Sequence, residues 1–370
     1  MAGQGALRRT PLYQRHLALG GRMVEFGGWE MPVQYSGIID EHRAVREAAG
    51  LFDISHMGEV EVRGPDALSF LQRLVTFDVA AIPAGRANYA LMCRPDGGIV
   101  DDIFIYNLGN DYLVVINAAN IAKDVAWMRD HAAGFDVDLA DASDRIGMLA
   151  LQGPAAEELL AHVAGRELAA LPFHAVARGS VLDVPALVAR TGYTGEDGFE
   201  LFVATADVDR LWDGLLDAGR DSGVKPCGLG ARDSLRFEAC LALYGHEIAD
   251  DINPYEARLG WVVKLDKGDF IGRETLQQVK QEGVKRRLIG FEMVGRGIAR
   301  GDYAIHTTDG TPIGRVTSGM PSPTLGKNLG MGYVPVEFST EGTEFDVIVR
   351  EKPVRARVVK MPFYRPRYKK

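Results

Sequence analysis

The chain has 370 residues, more than a single hydrophobic core serves, so two or three domains are expected. Hydrophobic residues make up 46% and charged residues 25%, the proportions of an ordinary globular protein, which excludes fibrous, disordered and disulfide-stapled classes. Lys plus Arg number 42 and Asp plus Glu 50, a formal charge of −8 that gives no long-range pull toward nucleic-acid backbones.

The first residues, MAGQGALRRTPLYQRH, carry no apolar stretch of the kind a secretory signal needs. No run approaches the roughly 20 apolar residues that span a bilayer, so no membrane partner is expected. In Ile38-Ile39-Asp40-Glu41-His42-Arg43-Ala44-Val45 the apolar residues recur at near-helical spacing, with Gly50 beyond as a stop. Glu59 to Val62 alternates like a half-buried strand, and Pro65 opens a helix with Leu68, Leu71, Leu74 and Val75 on one face. Asn88 to Cys93 and Ile99 to Tyr106 form a hairpin around Arg94-Pro95-Asp96-Gly97-Gly98, in which proline presets φ and glycine supplies a positive one. Tyr112 to Ile116 is a strand, Asn120 caps a helix carrying Ile121, Val125 and Met128, and Phe135, Val137 and Leu139 alternate as a last strand.

A second pass repeats this order. Ile146 to Leu151 is a strand, a helix follows Pro154, strands lie within Val181 to Arg190 and Phe199 to Val203, and Val208 to Gly219 is a helix. Two split β-α-β patterns predict paired ferredoxin-like layers. From about residue 285 the texture changes: Leu288 to Met293, Pro312 to Ser318, Phe345 to Val349 and Val354 to Val359 are strand-like between glycines and prolines. That region reads as a small all-β barrel or sandwich, joined by the polar helix Glu274 to Glu282. The class is α+β with a separate C-terminal β domain.

Three clusters place polar residues where they are expensive. Asp101 and Asp102 interrupt an apolar strand, on opposite faces by alternation. Either one looks into a cavity while the other meets solvent or a turn, or both are wet on an edge strand. Arg190 to Glu200 packs three glycines into a hairpin tip and ends on Glu200 inside an apolar run. Gly228-Leu229-Gly230 precedes a helix but lacks the third glycine and the βαβ setting of a dinucleotide loop. Arg232 and Arg236, four apart on that helix, make either a surface ion-pair ladder or a fork for a carboxylate.

Other signals are weaker. Phe52 to Met57 reads as core rather than a ligand cage, and eight scattered histidines give no metal-binding trio. Cys93, Cys227 and Cys240 show no CxxC spacing and suit a reducing compartment, so a cytoplasmic protein is expected, or a mitochondrial-matrix one if the chain is a processed eukaryotic form. Arg355, Arg357, Lys360, Arg365, Arg367, Lys369 and Lys370 form a basic tail, either simply solvated or a patch for an acidic partner.

Taken together, these segments resemble the aminomethyltransferase, or T-protein, family of the glycine cleavage system. The resemblance runs through Arg9-Thr10-Pro11-Leu12-Tyr13, Phe26 to Pro32, Phe52 to Met57 and Gly97-Gly98-Ile99-Val100-Asp101-Asp102. It continues through Leu151-Gln152-Gly153-Pro154, Gly192-Tyr193-Thr194-Gly195-Glu196, Gly228 to Arg236, Leu243-Tyr244-Gly245, Thr317-Ser318-Gly319 and Ser322-Pro323-Thr324-Leu325-Gly326. What resembles this family is expected to fold as three domains in a cloverleaf around a central folate channel: residues 1–50 with 141–275 as a discontinuous folate-binding domain, 51–140 as a second, and 283–370 as the β domain.

The same resemblance implies a lipoylated carrier protein (the H-protein) as donor partner and tetrahydrofolate as the acceptor co-substrate, with no metal. It assigns Asp102 as the catalytic acid, beside the reacting folate nitrogens. It assigns Glu200, Arg232, Tyr89, Asn117, Met57 and Tyr368 to the folate. Relatives that assemble iron–sulfur clusters carry a cysteine motif where this chain has Ala242-Leu243-Tyr244-Gly245-His246-Glu247, which favours the enzyme over a folate-binding accessory protein. Folate-dependent demethylating oxidases carry an added flavin domain that this length does not accommodate.

Overall fold

The computed structural model describes residues 6–369. The start of the N-terminal stretch and Lys370 of the basic tail lie outside the described residues. The first sheet has six strands in the order Val176–Val181, Val184–Ala189, Gly198–Ala204, Ile146–Gln152, Gly50–Asp53 and Lys225–Cys227. Its neighbours run antiparallel except the last pair, which is parallel. The second sheet has five, Arg86–Cys93, Ile99–Asn107, Tyr112–Ile116, Gly58–Arg63 and Asp138–Asp141, all antiparallel. Helix Ile121–Asp130 connects Tyr112–Ile116 to Asp138–Asp141 across the strand between them, the split β-α-β unit expected. Because Gly50–Asp53 belongs to the first sheet, the chain crosses to the second after Asp53 rather than at residue 50.

Each sheet buries both faces. Helices Ala156–Ala164 and Val208–Ala218 cover the outer face of the first, where Trp212, Phe199 and Leu201 are fully buried. Helices Ala67–Leu74 and Ile121–Asp130 cover the second through Phe70, Leu71, Val125 and Met128. The two inner faces meet in a layer of Phe52, Tyr106, Leu113, Val115, Met148, Ala189 and Phe202. The C-terminal region resolves the barrel-or-sandwich choice as a closed barrel, in the order Arg286–Met293, Asn328–Pro335, Pro312–Pro321, Ala304–His306, Glu344–Val349 and Lys352–Val359.

Three local expectations are corrected. The strand read at Phe135 to Leu139 starts at Asp138; Phe135 instead closes edge-on against Phe70, ring centres 5.7 Å apart, and so stays in the turn. Asn120 makes no side-chain cap, because its amide is committed to Asp101 at 2.8 Å. The basic tail is not simply solvated. Tyr364 N donates to Glu238 O at 2.7 Å and Arg367 N to Gly195 O at 2.8 Å, so the tail returns across the first domain, and Lys369 pairs with Glu157 at 2.8 Å. Among the described residues no helix is long and apolar enough to cross a membrane.

Candidate active site

Strand Ile99–Asn107 alternates as its sequence demands. Ile103 and Ile105 point to the helix layer, whereas Phe104 and Tyr106 point into the layer between the sheets. Asp101 shares the parity of the first set and Asp102 that of the second. A register shift at Met92/Cys93 leaves Val100 as an extra residue just before them, a bulge of the kind that re-aims side chains next to active sites.

Asp101 is neither at a turn nor wet, against both readings of the sequence. It is fully buried, accepting Asn117 N at 3.1 Å, Asn117 Nδ2 at 2.9 Å and Asn120 Nδ2 at 2.8 Å. Asp102, half-buried, accepts Asn117 Nδ2 at 2.7 Å on Oδ1 and Tyr89 Oη at 3.2 Å on Oδ2. Burial, followed by the neighbouring Asp101 charge, pushes the Asp102 carboxyl up to about 7 against the pull of these two donors. A carboxyl poised there exchanges a proton near neutral pH, the property a site acid or base needs.

Glu200 stands on the inner face of strand Gly198–Ala204, in the opposite sheet. Its Oε2 takes Thr191 Oγ1 at 2.5 Å and Tyr106 Oη at 3.1 Å, and Oε1 has no donor among the described residues. Tyr106 thus ties the two sheets together behind the site. Arg232 lies on helix Leu229–Glu238, whose start packs so closely on strand Trp29–Gln34 that a Cβ at Gly228 would strike the Val33 backbone. The glycines serve helix packing, not phosphate.

The two arginines of this helix part company. Arg236 is buried and bonded to Glu247 at 2.6 Å, Asp233 at 2.8 Å and Ser318 Oγ at 3.1 Å, fastening the helix to the barrel. Arg232 has no carboxylate or carbonyl partner among the described residues. Its guanidinium lies 4.7 Å from the Tyr193 ring centre and within electrostatic range of Glu200. Burial lowers its basicity, so a half-buried cation here has its charge left for something other than this chain.

Tyr193 is the residue the sequence reading did not single out. It sits between Gly192 and Gly195, feels both Asp102 and Arg232, and donates to Ala242 O at 2.5 Å. Its turn is clamped by Gln152, which donates to Thr191 O at 3.0 Å and accepts Thr194 Oγ1 at 2.9 Å. A Cβ at Gly192 would overlap the Gln152 amide, so this clamp leaves room only for glycine there. The aromatic between the glycines was the signal available.

An aromatic wall links the remaining residues. Tyr89 stacks on Trp261 at 5.9 Å and meets Phe104 at 6.4 Å; Phe104 meets His174 at 5.3 Å, His174 stacks on Phe173 at 4.0 Å and Phe173 on Tyr368 at 4.7 Å. Tyr368 therefore lies along the same wall as Tyr89, at the end nearer Arg46 and Glu196. Met57 packs on the inter-sheet layer with Phe104 and Tyr106. His56 beside it is buried and held neutral, pushed down to about 4 by burial and then by the Arg232 charge. His246 is exposed, its Nδ1 3.4 Å from Thr317 O. Among the described residues no group of His, Cys, Asp or Glu is placed to hold a metal.

These residues thus surround one edge of the inter-sheet layer. Asp102 and Tyr89 come from the second sheet, Glu200 from the first, Arg232 from helix Leu229–Glu238 and Tyr193 from the turn joining strands Val184–Ala189 and Gly198–Ala204 of the first sheet. The arrangement offers an acceptor, a free cation, a proton-exchanging acid and flat aromatic faces.

Comparison with known proteins agrees with the resemblance. Residues 12–267 match the GCVT N-terminal domain and residues 286–365 the glycine cleavage T-protein C-terminal barrel domain. An aminomethyltransferase of Herpetosiphon aurantiacus is 57% identical over 98% of this chain and 100% of its own. That of Bacillus subtilis is 52% identical over 97% and 99%. The crystal structure of the glycine cleavage system aminomethyltransferase T from Bartonella henselae superposes with a TM-score of 0.91 at 35% identity, covering 98% of this chain and 100% of that one. The chain therefore belongs to the aminomethyltransferase (glycine cleavage T-protein) family.

Proposed function

We propose that this protein is the ammonia-forming aminomethyltransferase of a glycine cleavage system. It takes the aminomethyl group carried as S–CH2–NH3⁺ on the lipoyl arm of an H-protein and passes its carbon to tetrahydrofolate. The carbon–sulfur and carbon–nitrogen bonds break, two folate nitrogens bond to the carbon, and 5,10-methylene-tetrahydrofolate, ammonia and the dithiol carrier leave. Tetrahydrofolate supplies the nucleophilic nitrogens; the chain's residues bind, orient and adjust charge. A cytoplasmic location and three units, 1–50 with 141–275, 51–140 and 283–370, belong to the same reading, with residues 51–53 moved to the first.

The observation that carries the reading is the set of unfilled valences on one rim. Glu200 Oε1 is an acceptor for the amino and ring N–H groups of a pterin. Arg232, without an anionic partner among the described residues, suits a folate carbonyl or carboxylate. Tyr89, Met57, Tyr193 and Tyr368 offer faces and edges for flat rings. Asp102 is assigned the reacting centre: ionised, it stabilises the positive charge that develops as ammonia departs, and Asn117 and Tyr89 hold it in place. Holding donor and acceptor together replaces a bimolecular encounter by a positioned one, worth several kcal/mol.

The test is direct. The protein is incubated with tetrahydrofolate and aminomethyl-loaded lipoylated carrier, and methylene-tetrahydrofolate and ammonia are followed. Formation of both in equal amounts is expected. Folate binding without product above the uncatalysed rate would favour the accessory protein instead.

A further inference from the structure

Asp124 lies one helical turn beyond Asn120, in helix Ile121–Asp130. It is fully buried, and neither carboxyl oxygen accepts a hydrogen bond from any described residue. A buried carboxylate in that state is expensive. Its carboxyl lies on the helix face whose preceding turn carries Asn120, the residue that donates to Asp101 at 2.8 Å, and the nearby Asp101 carboxyl adds to burial in raising it. Asp101 is already supplied with three N–H donors from Asn117 and Asn120. Two abutting carboxyl groups out of water do not both ionise, and the shared proton belongs to the one without donors.

We infer that Asp124 is a neutral carboxylic acid whose O–H, donated to Asp101, is a positioning device for Asp102. The inference rests on the role proposed above for Asp102. The chain of contacts is short: Asp124 O–H holds the Asp101 carboxylate, Asp101 holds the backbone N–H and side-chain amide of Asn117, and the same amide meets Asp102 Oδ1 at 2.7 Å. The groups facing this row are few. Lys123, on the same helix, donates to Val100 O at 2.5 Å and lies 4.1 Å from the Tyr244 ring centre; its charge pulls the Asp124 carboxyl down, but less than burial and Asp101 push it up. Tyr244 donates to Asp250 at 2.9 Å; Tyr89 and Tyr193 flank Asp102 on the other side.

Burial, then contact with Asp101, pushes the Asp124 carboxyl up to about 11, in keeping with a proton that stays put through neutral pH. A neutral Asp124 leaves Asp102 facing one charge, that of Asp101, rather than two. Sequence reading had no access to this. Asp124 is one polar residue of the helix that carries Ile121, Val125 and Met128, and nothing in its spacing marks it as buried against a second acid.

The experiment compares Asp124→Asn and Asp124→Ala in the full-length protein. Asparagine is neutral and keeps a donor for Asp101; alanine removes the donor. With alanine, turnover is expected to fall on the order of tenfold, the loss of one charge-assisted hydrogen bond from the row, while asparagine recovers most of it with the acid limb of the pH–rate profile in place. Infrared difference spectra of wild type minus Asp124→Asn, taken at alkaline pH where Asp102 is ionised, are expected to show a carboxylic-acid C=O stretch. Three results would overturn the inference: wild-type turnover in the alanine variant, an acid limb displaced downward in the asparagine variant (a lost charge rather than a kept donor), or no acid band. If alanine prevents folding, the asparagine profile and the infrared band still decide. Wild-type turnover in Asp102→Asn would instead remove the role proposed for Asp102, leaving the infrared band to report the Asp124 proton independently.

Discussion

Replacing Asp102 by Asn should make the protein more stable and less active at once, and the stability change should depend on pH in a definite direction. The Asp102 carboxyl is raised from 3.8 to about 7 in the folded chain, first by burial and then by Asp101. Between those values the folded state holds a proton that the unfolded state has released, so folding stability falls as pH rises from about 4 to about 7 and is level above. A rise of that size sets a ceiling of about 4 kcal/mol on the effect. Water at the half-open rim and the loss of favourable geometry with Asn117 reduce the expected gain of Asp102→Asn to about 1–3 kcal/mol at pH 8. In a chain this long that is a rise of a few degrees in Tm. Thermal unfolding of both proteins at pH 5, 6.5 and 8 reads it directly: the difference should widen with pH, while turnover at pH 8 collapses. A difference that is constant with pH, or that reverses, would mean that Asp102 is not held above its ordinary range, and the reasoning about its proton would fail.

Three other outcomes are expected. Arg232→Gln should weaken tetrahydrofolate binding by about tenfold to a hundredfold in calorimetric titration, with Tm unchanged or raised, because no carboxylate among the described residues pairs with this cation; unaltered affinity would take Arg232 out of the site. Arg46→Met should cost about 3–5 kcal/mol in denaturation, since Arg46 bonds Glu196 and Glu238 at 2.9 Å each, Thr194 O at 2.8 Å and the Tyr364 ring at 3.8 Å, joining the first domain to the returning tail. Loss of activity in step with lost folding, with folate affinity kept in the folded fraction, is the accompanying readout. Asp124→Ala and Asp124→Asn should separate by about tenfold in steady-state turnover, the alanine variant being the slower.

The elements most legible in the sequence were those whose pattern answers to one neighbour. Helix Val208–Ala218 buries one face against a single layer, so helical spacing reported it faithfully, whereas strand Ile99–Asn107, buried on both faces, was legible instead as a near-continuous apolar run beside a strong turn signal. Strand Asn328–Pro335 was missed because Gly330 and Gly332 break its alternation. They are there to make room, since a Cβ at Gly330 would overlap the Phe291 ring and one at Gly332 would meet the Arg315 carbonyl oxygen. Lys225–Cys227 was hidden by Pro226, tolerated at an edge with one partner strand.

The site was legible as a list but not as a network. Two acids in a strand and paired arginines on a helix were visible; that Arg236 is held at the barrel, while Arg232 has no carboxylate partner among the described residues, depends on Glu247, eleven residues beyond Arg236 and folded back. Asn120 looked like a cap because Asn favours caps, and its true partner, Asp101, is set by sheet register. Local spacing carries no information about such partners.

The central claim is that Asp102, Glu200 and Arg232 serve one tetrahydrofolate. A crystal structure of the full-length protein with tetrahydrofolate bound tests it most directly. The account predicts the pterin between the two sheets, its amino and ring N–H groups on Glu200 Oε1, the reacting nitrogens facing Asp102, and Arg232 on a folate oxygen. Folate seated elsewhere, with these three side chains unchanged in their contacts, would contradict it.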